Sequence, residues 1–149
     1  QRGKLLVRER IEMLVDRAQK RFSHGSLLSE KQGIQWMMAK SALELYSSKL
    51  MVLHAAYKIE NGMDFRAEVS MAKHHVANTL WKVVDRALQV HGALGYSNDT
   101  PLAEMLISAR WARIADGSDE VHLMRIAEMV MRSYNETGSV NHAVGDLPV

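Results

Sequence analysis

The chain has 149 residues, of which 47% are hydrophobic and 24% are charged; this fits one domain with a buried core and excludes a disordered chain. It has no cysteine, which excludes a disulfide scaffold and favours an intracellular protein. No apolar run approaches the roughly 18 residues of a membrane-spanning helix, so we predict no transmembrane segment. The chain starts at Gln1, inside a helical pattern, and we therefore expect a piece of a longer protein.

Basic residues are concentrated at the start of the chain, although the net charge of +2 is small. The first 22 residues hold seven Arg and Lys side chains against three carboxylates. Such a segment could bind nucleic acid, a membrane surface or a phosphorylated ligand. A helix that simply has one charged face toward solvent would give the same pattern. We take the solvated face as the simpler interpretation and predict no nucleic-acid partner.

Apolar residues recur at every third or fourth position through most of the chain, which predicts amphipathic helices. Asn61-Gly62 is a typical helix end, and Asp64 is placed to cap the helix that follows. Helices are expected at 4–22, from about 30 to 60, from 64 to about 94, from 101 to about 115 and from about 118 to 134.

Few segments alternate as strands do, so the predicted fold class is all-α. Long helices joined by short connections favour antiparallel neighbours, which predicts an up-down four-helix bundle whose last arm is split into two helices at residues 116–120. We expect one domain at 1–136 and a disordered tail at 137–149. A set of methionines at helical spacing is expected to fill the core: Met37, Met38, Met51, Met71 and Met105.

The segment IADGSDEVHL at 114–123 interrupts the helical pattern with three carboxylates in five positions. In one interpretation it is a helix start, with Asp116 as the N-cap and Asp119 at the third helical position. That interpretation does not explain Gly117, because glycine in a helix is unfavourable by up to about 1 kcal/mol relative to alanine. A glycine there is also typical of a backbone that another group approaches closely.

The residues alone do not indicate any further chemistry. The adjacent His74 and His75 would point about 100° apart on a helix, so we predict no metal site. No glycine-rich phosphate loop follows a strand, and no serine or cysteine triad is apparent. Composition and spacing therefore predict a helical bundle with an acidic joint and leave its role open.

Three ordered stretches resemble a known family. They are DRAQKRFSHG at 16–25, followed by EKQ, ALQVHGALGYSNDTPLA at 87–103 and ARIADGSDEVHLMRIAEM at 112–129, with MAKHHVA at 71–77 between the first two. In order and separation they resemble the C-terminal domain of the FAD-dependent acyl-CoA dehydrogenases, up to about residue 134. The ADGxDEVH pattern is similar to a subgroup whose catalytic base is aspartate.

The resemblance implies a set of FAD contacts. Arg21 matches the arginine that reaches the FAD pyrophosphate, generally of a neighbouring subunit, and a guanidinium suits phosphate oxygens. Gln89 matches the glutamine that contacts the cofactor across the dimer, and Gly92 belongs to the close-approach turn beside it. Ser118 and Glu120 match the positions at which the loop after the base meets FAD.

The resemblance also implies a reaction. Asp116 matches the catalytic carboxylate that takes the α-proton of an acyl-CoA thioester, and Gly117 matches the point where the backbone passes the substrate. The β-hydrogen would leave as hydride to the flavin, which gives a trans-2-enoyl-CoA. A closed apolar pocket would make the aspartate a stronger base than it is in water.

Partners and location follow from the same resemblance. We expect acyl-CoA as substrate, an electron-transferring flavoprotein as electron acceptor, and a homodimer or homotetramer. The family occurs in the bacterial cytoplasm, the mitochondrion and the peroxisome, among which the sequence does not decide. The family's N-terminal helical domain and middle β-domain are not part of this sequence, so we expect the 149 residues alone to be inactive.

Three positions depart from the family pattern. His24 replaces a phenylalanine, Ala93 replaces the second glycine of a pair, and Glu128 stands where arginine is common. These changes leave an alternative open, in which the chain is a non-catalytic helical module for oligomerisation or interaction that descends from the same fold.

Overall fold

A computed structural model describes residues 7–143, except for the side chains of Val7 and His142. Within these residues the prediction of an all-α fold is confirmed. The helices are α1 (Val7–Lys20), α2 (Gln32–Glu60), α3 (Arg66–His91), α4 (Ala93–Tyr96), α5 (Leu102–Ala112) and α6 (Asp119–Thr137). Two-residue strands, β1 (Phe22–Ser23) and β2 (Ser26–Leu27), form a hairpin, and Leu28–Glu30 and Asn141–Ala143 are 3-10 turns.

The chain divides into two compact units. The first consists of Gln1–Ser47 and Ala77–Ala112, and the second of Ser48–Val76 and Arg113–Val149. The division falls inside α2 and inside α3, so each of these long helices contributes residues to both units.

The core of the first unit is built by residues one helical turn apart. Leu14 and Ala18 of α1 are fully buried in one cluster with Ala87 and Val90 of α3 and with Leu102 of α5. Spacings of three and four residues place each pair on one helix face. The expected core role is confirmed for three of the predicted methionines, which pack partly buried against this cluster: Met37, Met38 and Met105.

The second unit contains a buried ion pair in addition to small apolar residues. Lys58 near the end of α2 donates a 2.6 Å hydrogen bond to Glu68 in the first turn of α3, and both side chains are buried. The turn between these helices uses Gly62 at φ 66, as Asn61-Gly62 predicted. Asp64 Oδ1 accepts the Arg66 N–H at 3.2 Å, which satisfies a free donor at the start of α3.

The structure corrects the ends of the first and fourth predicted helices and adds a hairpin. The first helix ends at Lys20, where residue 22 was predicted, and the predicted residues 4–6 lie outside the described part. The chain then turns at His24 and Gly25, which both have positive φ, as a two-residue hairpin of type I′ requires. The helix predicted to run from 101 to about 115 ends at Ala112, so the last arm is split at 113–118, slightly earlier than predicted.

The segment predicted as a disordered tail is only partly described. Helix α6 ends at Thr137, and Gly138 follows in the left-handed conformation with φ 71. The Ser133 hydroxyl donates to the Ser139 carbonyl at 2.8 Å, and Ala143 is buried. Residues 144–149 lie outside the described part, so the domain boundary at 136 stays a prediction.

Within residues 7–143, no helix combines the length and the apolar character that a bilayer crossing requires.

Candidate functional site

The acidic segment forms a loop with two consecutive left-handed residues. Asp116 has φ 53 and Gly117 has φ 99. Helix α6 begins three residues after Asp116, and its N-cap is Ser118 in an extended conformation. The interpretation of Asp116 as the N-cap is therefore wrong, because Asp116 lies two residues before the cap. Asp119 is the first helical residue and not the third.

The carbonyl groups of this loop are hydrogen-bonded by two side chains of the same unit. Lys73 of α3 donates from Nζ to the Gly117 carbonyl at 2.6 Å. His122 of α6 lies with Nε2 3.2 Å from the Asp116 carbonyl, and it donates there in the tautomer with the hydrogen on Nε2. The two peptide groups on either side of Gly117 are thus both held through their oxygens.

A second set of contacts ties the ends of the loop together. Arg113 donates from Nε and Nη2 to Asp119 Oδ2 at 2.7 and 2.6 Å, and the Asp119 N–H donates to the Arg113 carbonyl at 3.2 Å. His74 Nδ1 lies 3.6 Å from Asp119 Oδ1. The Asp119 side chain is buried. These contacts close the loop across residues 114–118.

The Asp116 carboxylate itself is exposed on this chain. Among the described residues, none donates a hydrogen bond to it and none forms an ion pair with it. The backbone of the loop is therefore fixed while the carboxylate remains accessible to another molecule.

Ser118 and Glu120 lie at the start of α6. Glu120 is exposed. The pKa of its carboxyl lies below its ordinary value, mainly because its own backbone N–H donates to it and, to a smaller extent, because the Ser118 hydroxyl interacts with it. An ionised carboxylate there is also favoured by the positive end of the helix dipole. At neutral pH Glu120 is therefore charged and acts only as an acceptor.

Arg21 stands between α1 and the hairpin with its backbone fixed. Its N–H donates to the Arg17 carbonyl at 3.0 Å, and its carbonyl accepts the Leu28 N–H at 2.9 Å. The guanidinium is exposed and has no partner among the described residues. Lys31 supports the hairpin, since its Nζ lies 3.1 Å from Ser26 Oγ. Arg21 thus presents an exposed guanidinium on a segment whose backbone is held by hydrogen bonds.

Gln89 and Gly92 lie at the end of α3 in the same unit as Arg21. Gln89 is exposed between the buried Ala87 and Val90, and its amide has no hydrogen-bond partner among the described residues. Gly92 has φ 64 and ψ −139, a conformation close to one that is essentially restricted to glycine. A Cβ on Gly92 would meet no atom within 4 Å, so dihedral angles and not crowding require the glycine, and its surroundings are open.

The predicted site residues therefore form two sets. Arg21, Gln89 and Gly92 belong to the first unit, and residues 116, 117, 118 and 120 belong to the second. Within each set the residues are exposed or half-buried.

Comparison with known proteins decides the family. Residues 5–131 match the family model described as "Acyl-CoA dehydrogenase, C-terminal domain". The chain belongs to the acyl-CoA dehydrogenase family.

Named relatives agree with this assignment. The chain is 38% identical over 124 residues to acyl-CoA dehydrogenase family member 11 of Rattus norvegicus, covering 82% of this chain and 16% of the relative. It is 34% identical over 122 residues to acryloyl-CoA reductase (NADH) of Anaerotignum propionicum, covering 82% of this chain and 31% of the relative. The chain thus spans less than a third of either relative.

A solved structure shows the same fold. Butyryl-CoA dehydrogenase from Megasphaera elsdenii superimposes with a TM-score of 0.75 at 26% identity, which covers 79% of this chain and 31% of that chain.

The three departures from the acyl-CoA dehydrogenase pattern can be located. His24 occupies the hairpin turn at φ 49, with Nδ1 2.8 Å from Ser23 Oγ. Ala93 is exposed and begins α4, and Glu128 is exposed on α6. None of the three is buried.

Sequence reasoning missed the residues that hold the Asp116 loop. Lys73 had no predicted role, and His74 was considered only as a metal ligand; the hydrogen bond from Lys73 spans 44 residues of sequence. The sequence did contain a signal, because the MAKHHVA stretch is part of the family resemblance although no role was assigned to it. Its contact with Gly117 becomes visible only in the fold.

Two further features lie apart from the predicted residues. A cavity of about 310 Å³ in the second unit is lined by Lys58, Glu68 and Arg132, among others, and none of the predicted site residues lines it. Within the part of the chain that the structure describes, no group of three His, Asp or Glu side chains is arranged to hold a metal ion.

Proposed function

We propose that this chain supplies the catalytic base and part of the FAD-binding surface of an acyl-CoA dehydrogenase, which converts an acyl-CoA thioester into a trans-2-enoyl-CoA. The observation that carries the proposal is the exposed Asp116 carboxylate on a loop whose carbonyls are held by Lys73 and His122. An accessible carboxylate on a fixed backbone is what removal of a proton from a bound substrate requires.

The proposed role of Asp116 is to take the proton from the carbon next to the thioester carbonyl. That carbon is a weak acid, so the carboxylate must act where water is excluded. Asp116 is exposed on this chain, and the apolar walls of the site would come from the substrate and from other domains. The chemistry that FAD supplies when bound is acceptance of a hydride from the neighbouring β-carbon.

The first unit fits one end of FAD. Arg21 offers an exposed guanidinium without a described partner, and a guanidinium fork matches the oxygens of a pyrophosphate. Gln89 adds an exposed amide, and the open surroundings of Gly92 leave room for a ligand to approach the backbone. In this proposal the three residues contact the cofactor of a neighbouring subunit.

Ser118 and Glu120 are proposed to contact FAD from the second unit. Because Glu120 is ionised and can only accept hydrogen bonds, it fits a hydroxyl or N–H of the cofactor and not a phosphate. The Ser118 hydroxyl, which lowers the pKa of the Glu120 carboxyl, is proposed to help orient that carboxylate.

Self-association is part of the proposal. Large apolar side chains are exposed on the described surface, and some are more than 60% accessible, for example Leu43, Tyr46 and Trp111. Apolar exposure of this extent is typical of surfaces that other domains or subunits cover. We propose a homodimer or homotetramer in which such surfaces are buried, and an electron-transferring flavoprotein as the electron acceptor.

The test uses the complete flavoprotein that contains this chain. The purified holoprotein is mixed without oxygen with a panel of acyl-CoA thioesters, and loss of flavin absorbance is followed. Asp116→Asn, which keeps the size of the side chain but removes the base, is expected to lower the rate by about 10² to 10⁴-fold. Asp85→Asn is the matched control, because Asp85 is exposed on α3 and has no assigned role.

The outcomes separate the two interpretations left open by the sequence. Flavin that is bleached by acyl-CoA in the wild type and in Asp85→Asn, but not in Asp116→Asn, supports the proposal. A complete protein without flavin and without turnover would instead favour a non-catalytic helical module. Bleaching that survives in Asp116→Asn would remove Asp116 from the role of base.

A further inference from the structure

We propose that Lys73 is a positioning residue for the catalytic base: its ammonium fixes the backbone after Asp116 and so aims the carboxylate at the substrate. This inference rests on the proposed role of Asp116. It assigns a function to the MAKHHVA segment of α3, which the proposed reaction does not otherwise use.

The Asp116 backbone needs support because its conformation is unfavourable. A non-glycine residue with φ 53 is in the left-handed region, where the Cβ is crowded. Gly117 continues at φ 99, a value that L side chains rarely adopt. Left to local preferences, this segment would populate other conformations, and the direction of the Asp116 side chain would change with each of them.

Two hydrogen bonds from outside the loop remove this freedom. A peptide group is planar, so a bond to its oxygen orients the whole plane. His122 holds the plane between residues 116 and 117 at 3.2 Å, and Lys73 holds the next plane at 2.6 Å. Together the bonds restrain both backbone dihedrals of Gly117 and one of Asp116. The bond from Lys73 is the shorter, and its donor carries a charge, which strengthens it.

The ends of the loop are held independently of Lys73. Arg113 and Asp119 close the loop through a double hydrogen bond to one carboxylate oxygen, and Asp119 is buried at the start of α6. Removal of the Lys73 ammonium should therefore leave the contact between Arg113 and Asp119 in place and release only residues 114–118. A role in positioning can for this reason be separated from a role in folding.

The experiment compares three variants in the complete holoprotein. Lys73→Met removes the charged donor but keeps most of the side-chain length, and Lys73→Arg restores a charged donor. Lys82→Met is the control, since Lys82 is on the same helix, is half-exposed and lies 3.7 Å from Glu44. We expect Lys73→Met to lower kcat by about 10 to 100-fold, with KM for acyl-CoA and flavin content within about twofold. Lys73→Arg should recover most of kcat, and Lys82→Met should leave it unchanged.

A second readout does not depend on turnover. Amide hydrogen exchange of a peptide that covers residues 113–119 should be several-fold faster in Lys73→Met than in the wild type and unchanged in Lys82→Met. Should Lys73→Met not fold, Lys73→Gln takes its place in both measurements, because its shorter neutral side chain also removes the charged donor.

Each outcome decides the inference. A kcat within about twofold of the wild type, or exchange at 113–119 that does not change, overturns it. A joint loss of flavin, KM and kcat that Lys73→Arg does not repair also overturns it, since that pattern indicates a purely structural lysine. Loss of activity in Asp116→Asn but not in the Lys73 variants refutes positioning alone, whereas full activity in Asp116→Asn refutes the proposed function itself.

Discussion

Arg113 donates from Nε and Nη2 to a single carboxylate oxygen of Asp119, at 2.7 and 2.6 Å, across the loop that carries Asp116. The Asp119 side chain is 8% exposed and the Arg113 side chain 29%, so the carboxylate is the more deeply buried partner. The loop is therefore closed by an ion pair whose anion is largely removed from water.

Removing the arginine should destabilise the second unit. Arg113→Met leaves the buried Asp119 carboxylate without its main partner, and loss of one member of a buried pair typically costs about 3 kcal/mol or more. A loss of this size lowers Tm by roughly 6 to 12 °C in a domain of this length. Scanning calorimetry of Arg113→Met against Arg110→Met, an exposed arginine in α5, measures it. Equal Tm values for the two variants would show that the pair contributes little.

The buried pair of Lys58 and Glu68 should behave non-additively. The two side chains are 9% and 5% exposed and joined at 2.6 Å, and Glu68 Oε2 has no hydrogen-bond partner among the described residues. Lys58→Met alone should cost about 3 to 5 kcal/mol, because it isolates a buried carboxylate. Lys58→Met combined with Glu68→Leu should recover most of this, because replacing both charges by apolar groups of similar volume is often neutral.

A double-mutant cycle with calorimetry measures this coupling. Lys40→Met is the control on α2, where the lysine is exposed and its loss should change Tm little. If the double variant is no more stable than Lys58→Met, the two side chains are not energetically coupled, and loss of Lys58 does not leave an unfavourable buried charge.

Alanine at Gly117 should impair activity more than stability. Gly117 and Gly62 both have positive φ, at 99 and 66, so alanine at either position should cost about 1 kcal/mol in strain. Only at Gly117 would the new Cβ press on a neighbour, His122 Nε2 at 3.0 Å, which holds the Asp116 carbonyl. We expect similar Tm losses in Gly117→Ala and Gly62→Ala but a fall in kcat of about tenfold or more in Gly117→Ala alone. Equal kcat values would show that the loop tolerates the displacement.

The fold was largely predictable from sequence because its helices are long and amphipathic. Leu14 and Ala18, or Ala87 and Val90, are spaced by a helical turn and share one buried cluster, so periodicity alone indicates them. The hairpin at residues 22–27 was not predictable in this way, because two-residue strands are too short to show alternation. Its only signal is the local turn chemistry of His24 and Gly25.

The candidate site was predictable only through the family resemblance. That resemblance supplied Asp116, Arg21 and Gln89, whereas spacing gave no more than an acidic joint. The helix-cap interpretation failed because the left-handed φ of Asp116 delays the start of α6 to Asp119. The partners of the loop were missed because the bond from Lys73 to Gly117 depends on how α3 meets the loop after folding, which no local pattern encodes.

Gly95 and Gly33 should respond to alanine in opposite directions, although neither has a positive φ. A Cβ on Gly95 would lie 2.7 Å from the Leu88 carbonyl and 2.8 Å from His91 Cβ, so α4 would have to move away from the end of α3. Gly33 is in the first turn of α2, and a Cβ there meets no atom within 4 Å. Gly95→Ala should therefore lower stability by about 1 to 3 kcal/mol through overpacking, while Gly33→Ala should raise it by up to about 1 kcal/mol, because alanine is the better helix former.

Because Gly95 follows Gln89 and Gly92 on the same stretch, Gly95→Ala should also reduce the flavin content of the purified holoprotein, and Gly33→Ala should not. Tm and the ratio of flavin to protein absorbance measure both effects, and a stabilised Gly95→Ala variant with full flavin content would contradict the close packing of α4 on α3.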